Sequence, residues 1–194
     1  MSVVGLDVGN DTLVAAVARK RGIDVLLNAE SKRDPKRLLL LASRLAPRDL
    51  PRLPFPVDVG ARIHVDHLGR RIALSTTHIL AMLLAYLHQL GEDDLDAPVA
   101  DCVISVPFYL TQAHRRAYAD AATVAGLRPL RLMHDLTATT LGYGLYRSDL
   151  GVAGEPTFVA FVNVGHSDTQ AGVVAFDPSG MKVLSHAFDA DLGS

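Results

Sequence analysis

The sequence has few features of a secreted or membrane-bound protein. It contains one cysteine, Cys102, so no disulfide forms within the chain. No charged segment followed by an apolar run, the mark of a secretory signal peptide, occurs at the N-terminus. The longest apolar stretch, residues 79–90, contains Tyr86, His88 and Gln89 and is too short to cross a bilayer. We therefore expect a cytoplasmic or nuclear protein with no membrane contact.

A strong charge of either sign is also absent. The net charge is −2, which gives no reason to expect nucleic acid or an anionic membrane as a partner. His64 and His67 lie close together, but no cysteine or carboxylate cluster accompanies them, so they do not predict a metal site. With 194 residues, 49% of them hydrophobic and 21% charged, the chain is typical of one globular domain or two small subdomains.

One short pattern occurs near the start and again near the end. An apolar run that ends at Asp7 and Val8 is followed by Gly9, then small polar residues, then a second apolar run, which predicts a strand, a tight turn and a return strand. Backbone N–H groups in such a turn form an anion-binding concavity. Asp7 is placed to hold a hydrated magnesium ion that bridges phosphates. Residues 158–176 repeat this layout with Asn163 in the place of Asp7.

A single turn of this kind is most simply an ordinary hairpin. Two copies favour a pair of phosphate-binding hairpins that face each other across a cleft, which is the arrangement of the actin-like ATPase fold. The remaining patterns suit such an α/β fold. They predict strands at 23–28, 61–65, 70–74, 99–106, 127–133, 157–162, 169–176 and 181–188.

Four helices are predicted between these strands, at 34–46, from Ser75 or Thr76 to Gly91, at 112–125 and from His134 to Tyr146. The second helix has an apolar stripe that is expected to face the core and that comprises Ile79, Met82, Leu83, Tyr86, Leu87 and Leu90. An acidic turn at 92–96 is predicted to follow this helix. Cys102 is expected to be a small buried hydrophobe. Gly142 and Gly144 indicate a close crossing partner for the last helix. The loop at 148–156 separates two predicted domains, 1–150 and 151–194.

Three stretches carry a more specific resemblance: VVGLDVGND, DCVISVPFYLTQAHRRAYADAATVAGLRPLRLMHDLTATTLGYGLY and FVNVGHSDTQAGVVAF. They resemble the nucleotide-binding domain of the heat-shock 70-kDa chaperone family, above all its 110-kDa, nucleotide-exchange branch. The resemblance covers residues 1–31 and 50–194. It implies an actin-like ATPase (ribonuclease H-like) lobe with a mixed sheet and flanking helices, and a second lobe that is only begun.

The resemblance also implies roles for individual residues. Asp7 and Asp135 match the catalytic acids, and Asp7 with Asn163, through water, match the positions that order Mg²⁺. Pro107 and Arg115 match the relay between nucleotide state and the rest of the chaperone. From the residues alone, Asp135 is equally well a helix N-cap, Pro107 a strand terminator and Arg115 a surface arginine. The positions that match ATP or ADP binding are Gly9, Asn10, Asp11, Thr12, Gly165, His166 and Ser167.

The chain departs from the family pattern in ways that bear on hydrolysis. It is a few dozen residues shorter around positions 32–50, and the lysine that touches the cleaved phosphate is missing, with Arg52 ahead of Leu53-Pro54-Phe55 in its place. A planar guanidinium does not replace a compact ammonium. Asn163 is an amide where a carboxylate orders the metal. Since one lost polar group costs about 10²–10³ in rate, we expect little or no hydrolysis and weak or lost Mg²⁺ binding.

The resulting interpretation is a truncated ATP-binding domain of a 110-kDa-type chaperone, with a 70-kDa heat-shock chaperone as the implied partner. Two alternatives stay open: a chaperone-binding module that needs no nucleotide, and a non-functional truncated product. In each case, an apolar lobe face left uncovered predicts self-association.

Overall fold

The computed structural model describes residues 2–20, 22–27, 62–151 and 154–193. The helix predicted at 34–46 and the segment around Arg52 lie outside these ranges. Two compact units are present, Met1–Ile104 with Thr111–Leu132, and Ser105–Leu110 with Met133–Ser194. Compactness alone does not define a lobe, so the boundary placed between residues 150 and 151 stays a prediction.

The first unit is built on a mixed five-stranded sheet. Its strands, in spatial order, are β3 (Gly22–Val25), β2 (Leu13–Arg19), β1 (Ser2–Val8), β6 (Val99–Val106) and β7 (Arg128–His134). The first three pair antiparallel, as predicted. β6 lies in the interior of the sheet, and its Cys102, Ile104 and Val106 are fully buried. This confirms the strand predicted at 99–106 and the buried role of Cys102.

Two helices belong to this unit, α1 (Thr76–Leu95) and α2 (Gln112–Val124). Ser75 and Thr111 cap them, since each hydroxyl accepts a hydrogen bond from the backbone N–H three residues later. The prediction that α1 ends at Gly91 is wrong, and the predicted acidic turn is its last helical turn. Gly91 is buried, and a Cβ there would make ordinary van der Waals contact with Val99 and Val4, at 3.7 and 3.9 Å, so the position packs as part of the helix.

The buried face of α1 is also rotated from the predicted stripe. Ile79 and Leu87 are buried as expected, but Met82 and Tyr86 are 61% and 43% exposed. Their places are taken by Leu80, Ala81 and Leu84. The error arises because nearly every position from 79 to 87 is apolar, so periodicity alone does not fix the phase.

A separate hairpin of β4 (Ile63–His67) and β5 (Arg70–Leu74) forms as predicted. Its Ile63 is buried against Ile79 of α1, with Val65, Leu74 and Leu83 around them. This small cluster attaches the hairpin to the helix.

The second unit contains α3 (Asp135–Leu145) and a sheet with the order β10 (Gly180–Asp189), β9 (Thr169–Asp177) and β8 (Thr157–Val164). Alternate β9 residues are buried, and Gly172 lies directly beneath Leu136 of α3. A Cβ at Gly144 would lie 3.1 Å from the Phe176 ring, which confirms the close crossing predicted there. No described residue outside α3 lies within 4 Å of a Cβ placed on Gly142, so the same prediction is wrong for that residue among the described parts of the chain.

No helix among the described residues is both long and apolar enough to cross a membrane.

Candidate functional site

The first predicted phosphate-binding turn is a two-residue hairpin loop. Val8 pairs with Leu13, and the Gly9 N–H donates to the Thr12 carbonyl at 3.0 Å, which leaves Asn10 and Asp11 as the loop. A Cβ at Gly9 would lie 2.9 Å from that carbonyl oxygen, so the turn requires a residue without a side chain. The strand pairing, the glycine and the closing hydrogen bond agree with the sequence pattern.

The second turn has the same construction. Val164 pairs with Thr169, and the Gly165 N–H donates to the Asp168 carbonyl at 2.8 Å, with His166 and Ser167 as the loop. A Cβ at Gly165 would lie 3.1 Å from this carbonyl oxygen.

Because the registers agree, each residue of one hairpin has a counterpart in the other. The pairs are Asp7 with Asn163, Gly9 with Gly165, Asn10 with His166, Asp11 with Ser167, Thr12 with Asp168, and Val14 with Gln170. The predicted repeat is therefore a repeat of backbone geometry, while the polar side chains differ between the two copies.

A buried polar cluster adjoins the second turn and was missed by the sequence reasoning. Gln170 is 3% exposed, and its Nε2 donates to Asp135 Oδ2 and to Asp168 Oδ2, both at 3.2 Å. Asp168 is itself 8% exposed. We call Asp135, Asp168 and Gln170 the amide-bridged carboxylate cluster. A polar residue on the buried face of alternating strand β9 is the sequence signal that would have found it.

The amide oxygen of Gln170 gives the cluster its chemical character. Gln170 Oε1 is buried and accepts no hydrogen bond from the described residues. An unsatisfied buried oxygen costs about 1–3 kcal/mol, so this atom favours a bound cation or water. Carboxylate and amide oxygens are the ligands that Mg²⁺ prefers, and the cluster therefore fits a hydrated magnesium ion.

Direct chelation by several carboxylates is not available here. Within the described ranges, no group of three or more His, Cys, Asp or Glu side chains is placed to hold a metal ion. Mg²⁺ dehydrates reluctantly and keeps several waters when few protein ligands are present. A magnesium ion at this cluster would be held mainly through its water shell.

Asp135 is not the N-cap of α3, so the N-cap role that the sequence also allowed for this residue is wrong. The N-cap is His134, which makes no side-chain capping hydrogen bond, and Asp135 is the first helical residue. Its carboxylate accepts from Gln170. The helix dipole still favours an acid in the first turn. The catalytic role implied for Asp135 stays a prediction.

The end of the described chain lies against the second turn. The Thr169 hydroxyl donates to the Leu192 carbonyl at 2.7 Å. A Cβ on Gly193 would collide with the His166 carbonyl oxygen and with Ser167. The backbone around His166 and Ser167 is therefore packed on one side by Gly193, a contact that the sequence did not indicate.

The two relay residues have local structural roles. Pro107 follows β6 directly, and its carbonyl accepts from the Leu110 N–H at 3.2 Å. Arg115 lies in the first turn of α2, where its N–H donates to the Thr111 carbonyl at 3.0 Å. The terminator role of Pro107 is confirmed, and the relay roles stay predictions.

Comparison with known proteins identifies the family. The family model described as Hsp70 protein matches residues 41–194. The whole chain aligns with heat shock 70 kDa protein 16 of Arabidopsis thaliana at 44% identity, and with protein 14 of the same plant at 39%. It aligns with human heat shock 70 kDa protein 4L at 35% identity.

The chain spans 28–30% of the length of these relatives. The alignment to protein 16 is 231 residues long, against 194 in this chain, so the relative has residues within the matched stretch that this chain lacks. The family's fold is the actin-like ATPase fold, in agreement with the α/β architecture and the repeated hairpin. The chain belongs to the Hsp70 protein family.

Proposed function

We propose that this chain binds ATP or ADP with Mg²⁺ and hydrolyses ATP at no more than a background rate. The observation that carries the proposal is the amide-bridged carboxylate cluster, in which buried Gln170 Oε1 has no hydrogen-bond donor among the described residues. A hydrated cation beside this oxygen satisfies it, and the cation neutralises phosphate charge when nucleotide is bound.

Two kinds of group in this chain would hold the nucleotide. The N–H groups of the two loops, Asn10–Asp11 and His166–Ser167, are suited to phosphate oxygens. Asp135, Asp168 and Gln170 are suited to the hydrated cation. Asp7, which pairs with Val14 next to the first turn, is exposed, and the Mg²⁺-ordering role that the family resemblance implies for it stays a proposal.

Weak hydrolysis follows from the side chains that differ between the two hairpins. Phosphoryl transfer relies on positioned charges, and Asn163 supplies a neutral amide where Asp7 supplies a carboxylate. The loss of one such group lowers the rate by about 10²–10³. The missing phosphate lysine, inferred from the sequence around Arg52, acts in the same direction.

Calorimetric titration with magnesium–ATP tests this proposal. We expect binding that requires Mg²⁺ and that Asp135→Asn weakens about tenfold, since one carboxylate is lost from the cluster. Asp66→Asn, an exposed carboxylate in the β4–β5 hairpin, is the matched control and leaves binding unchanged. No heat of binding at about 1 mM nucleotide would contradict the proposal.

A 70-kDa heat-shock chaperone is the proposed protein partner, and family membership is what supports it. Capture of such a chaperone by the immobilised chain, with and without nucleotide, tests this point. Capture that is the same in both conditions favours the nucleotide-independent module, and no capture removes the chaperone as a partner.

A further inference from the structure

The His88 ring joins three elements of the first unit: α1, which carries it, the start of β6 and the C-terminal end of α2. Its Nε2 lies 2.6 Å from the Val99 carbonyl oxygen, and its Nδ1 lies 3.1 Å from the Ala125 carbonyl oxygen. The side chain is 19% exposed, so most of the ring is withdrawn from solvent. One side chain thus holds segments that lie 11 and 37 positions further along the chain.

These two contacts determine which form of the ring fits. A backbone carbonyl oxygen accepts hydrogen bonds and does not donate them. A neutral imidazole has one N–H group and one nitrogen lone pair, so it satisfies one of the two oxygens and turns its lone pair toward the other. An imidazolium has an N–H group on each nitrogen and satisfies both oxygens. The two carbonyls therefore select the charged form of His88.

A carboxylate stands beside the same ring. Glu92, four residues later on α1, has its Oε1 3.3 Å from His88 Nε2. This oxygen also accepts the Val99 N–H at 3.1 Å. His88 and Glu92 together bind both polar groups of the Val99 backbone, one through the carbonyl and one through the N–H. A positive ring next to Glu92 is favoured by the carboxylate charge.

The end of α2 favours a cation for a separate reason. Ala125 is the C-cap of this helix, and its last turn contains no basic residue. The carbonyls of residues 121–123 accept the backbone N–H groups of residues 125–127, while the Ala125 carbonyl faces the His88 ring. Since the C-terminal end of a helix carries partial negative charge, a cation supplied by α1 stabilises it.

The other acids on the neighbouring elements are engaged elsewhere. Asp93 and Asp94 of α1 accept hydrogen bonds from Gln89 and Arg19, and Asp101 of β6 accepts from an arginine of β7. Within the described residues, the polar contacts of the ring are the two carbonyls and Glu92. Partial burial favours a neutral ring, but each of these contacts and the helix end favour the cation.

We propose that His88 is an imidazolium in the folded chain at neutral pH, and that loss of this proton to solvent loosens the attachment of α1 to β6 and α2. A histidine in an unfolded chain releases its proton near about pH 6.5. The contribution of His88 to stability is therefore complete below that pH, and it is lost as pH rises through the range in which the folded ring releases its proton. This proton-dependent contact does not rest on nucleotide binding.

The ¹⁵N NMR spectrum of the imidazole nitrogens tests the protonation state in the wild-type chain. At pH 7 we expect both His88 nitrogens to have the resonances of protonated nitrogen. Glu92→Gln keeps an oxygen for the Val99 N–H and removes the charge, so the midpoint of the His88 titration is expected to move to lower pH. A His88 ring with one protonated nitrogen at pH 7 overturns the proposal.

Urea unfolding between pH 6 and pH 9 tests the effect on stability. His88→Gln keeps N–H donors at this position but has no proton to lose. Over this range the unfolding equilibrium constant of the wild-type chain is expected to rise about tenfold or more relative to that of His88→Gln. His67→Gln, at an exposed histidine of β4, is the matched control and keeps the wild-type pH dependence.

The same pH dependence in the wild-type chain and in His88→Gln overturns the proposal. The NMR measurement uses the wild-type chain, so it decides the protonation state even if His88→Gln does not fold.

Discussion

Gln170 and Asp135 join strand β9 to the first turn of α3. Gln170 Nε2 lies 3.2 Å from Asp135 Oδ2 and is equally far from Asp168 Oδ2, while Gln170 Oε1 is buried without a donor among the described residues. The amide thus uses both hydrogens on carboxylates and leaves its oxygen as the polar atom still to be satisfied. This asymmetry is the reason to expect a cation at the cluster.

Replacement of Gln170 by Glu tests the charge balance of the cluster. The change removes the N–H donors and places a third carboxylate beside two others, so the free energy of unfolding at neutral pH is expected to fall by about 1–3 kcal/mol. Mg²⁺ is expected to restore part of this loss, because it offsets the added charge. Urea unfolding with and without Mg²⁺ measures both effects.

Gln89→Glu is the matched control for that variant. Gln89 is exposed on α1, and its Nε2 donates to Asp93, so the same substitution also places two carboxylates together. Solvent screens this pair, and we expect a change below about 0.5 kcal/mol and no effect of Mg²⁺. Equal behaviour of the two variants would remove the argument for a cation site.

The turn at Gly9 is expected to reject any side chain. Gly9→Ala places a Cβ 2.9 Å from the Thr12 carbonyl oxygen, so the backbone must shift. We expect a destabilisation of about 1–3 kcal/mol, measured by chemical denaturation. Gly5→Ala in the same strand is the control, since its Cβ would be 3.7 Å from the nearest atom and the variant should be neutral or slightly stabilising.

A bidentate ion pair between Arg128 and Asp101 predicts how stability depends on acid. Arg128 Nε and Nη2 donate to the two Asp101 oxygens at 2.6 and 2.9 Å. These hydrogen bonds lower the pKa of Asp101 below its ordinary value of 3.8, although burial acts in the opposite direction. The pair therefore adds stability above the unfolded-state pKa, and this contribution is lost as pH falls through the lower folded-state value.

Asp101→Asn is thus expected to lower stability at neutral pH and to flatten the loss of stability below about pH 4. Unfolding midpoints measured from pH 7 to pH 2 provide the comparison. Asp66→Asn, at an exposed carboxylate, should change neither the stability at neutral pH nor its loss below about pH 4. If the loss of stability below about pH 4 is the same in Asp101→Asn as in the wild-type chain, this ion pair does not cause that loss.

The thiol of Cys102 is expected to react only when the first unit opens. Burial raises its pKa from 9.0 to about 11, with a smaller contribution from Asp101. At about pH 8 this shift lowers the thiolate fraction by roughly 10²-fold, and the native packing blocks access as well. Labelling with a thiol reagent should be slow in buffer and fast in denaturant. Rapid labelling of the native protein would contradict the buried placement.

Much of the fold follows from local signals in the sequence. Both hairpins, the caps at Ser75 and Thr111, and the apolar strand around Cys102 are encoded by nearby residues, and each is present in the structure. Such features depend on backbone conformation and on alternation, which short segments determine by themselves.

Features that depend on distant partners were predicted poorly. Gly91 is a common helix stop, but Val4 and Val99 pack against it and the helix continues. The buried face of α1 was placed incorrectly, because an almost wholly apolar segment has no marked polar side. Packing between elements decides such cases, and one sequence does not contain that information in local form.

The candidate site also combines features set by nearby residues with features set by distant ones. The glycines and loop lengths of both turns are visible in the sequence. The contact of Gln170 with Asp135 joins residues 35 positions apart, and it became apparent only when β9 and α3 were placed together. Buried polar clusters of this kind are found from three-dimensional structure, because each member alone resembles an ordinary strand or helix residue.

The central claim is that nucleotide binds with Mg²⁺ while hydrolysis stays near background. A ³¹P NMR time course of ATP with the purified chain, with and without Mg²⁺, measures both properties in one sample. We predict that the ATP resonances broaden only when Mg²⁺ is present and that inorganic phosphate grows no faster than in a protein-free control. Unchanged ATP resonances, or a Mg²⁺-dependent growth of phosphate well above that control, would contradict the claim.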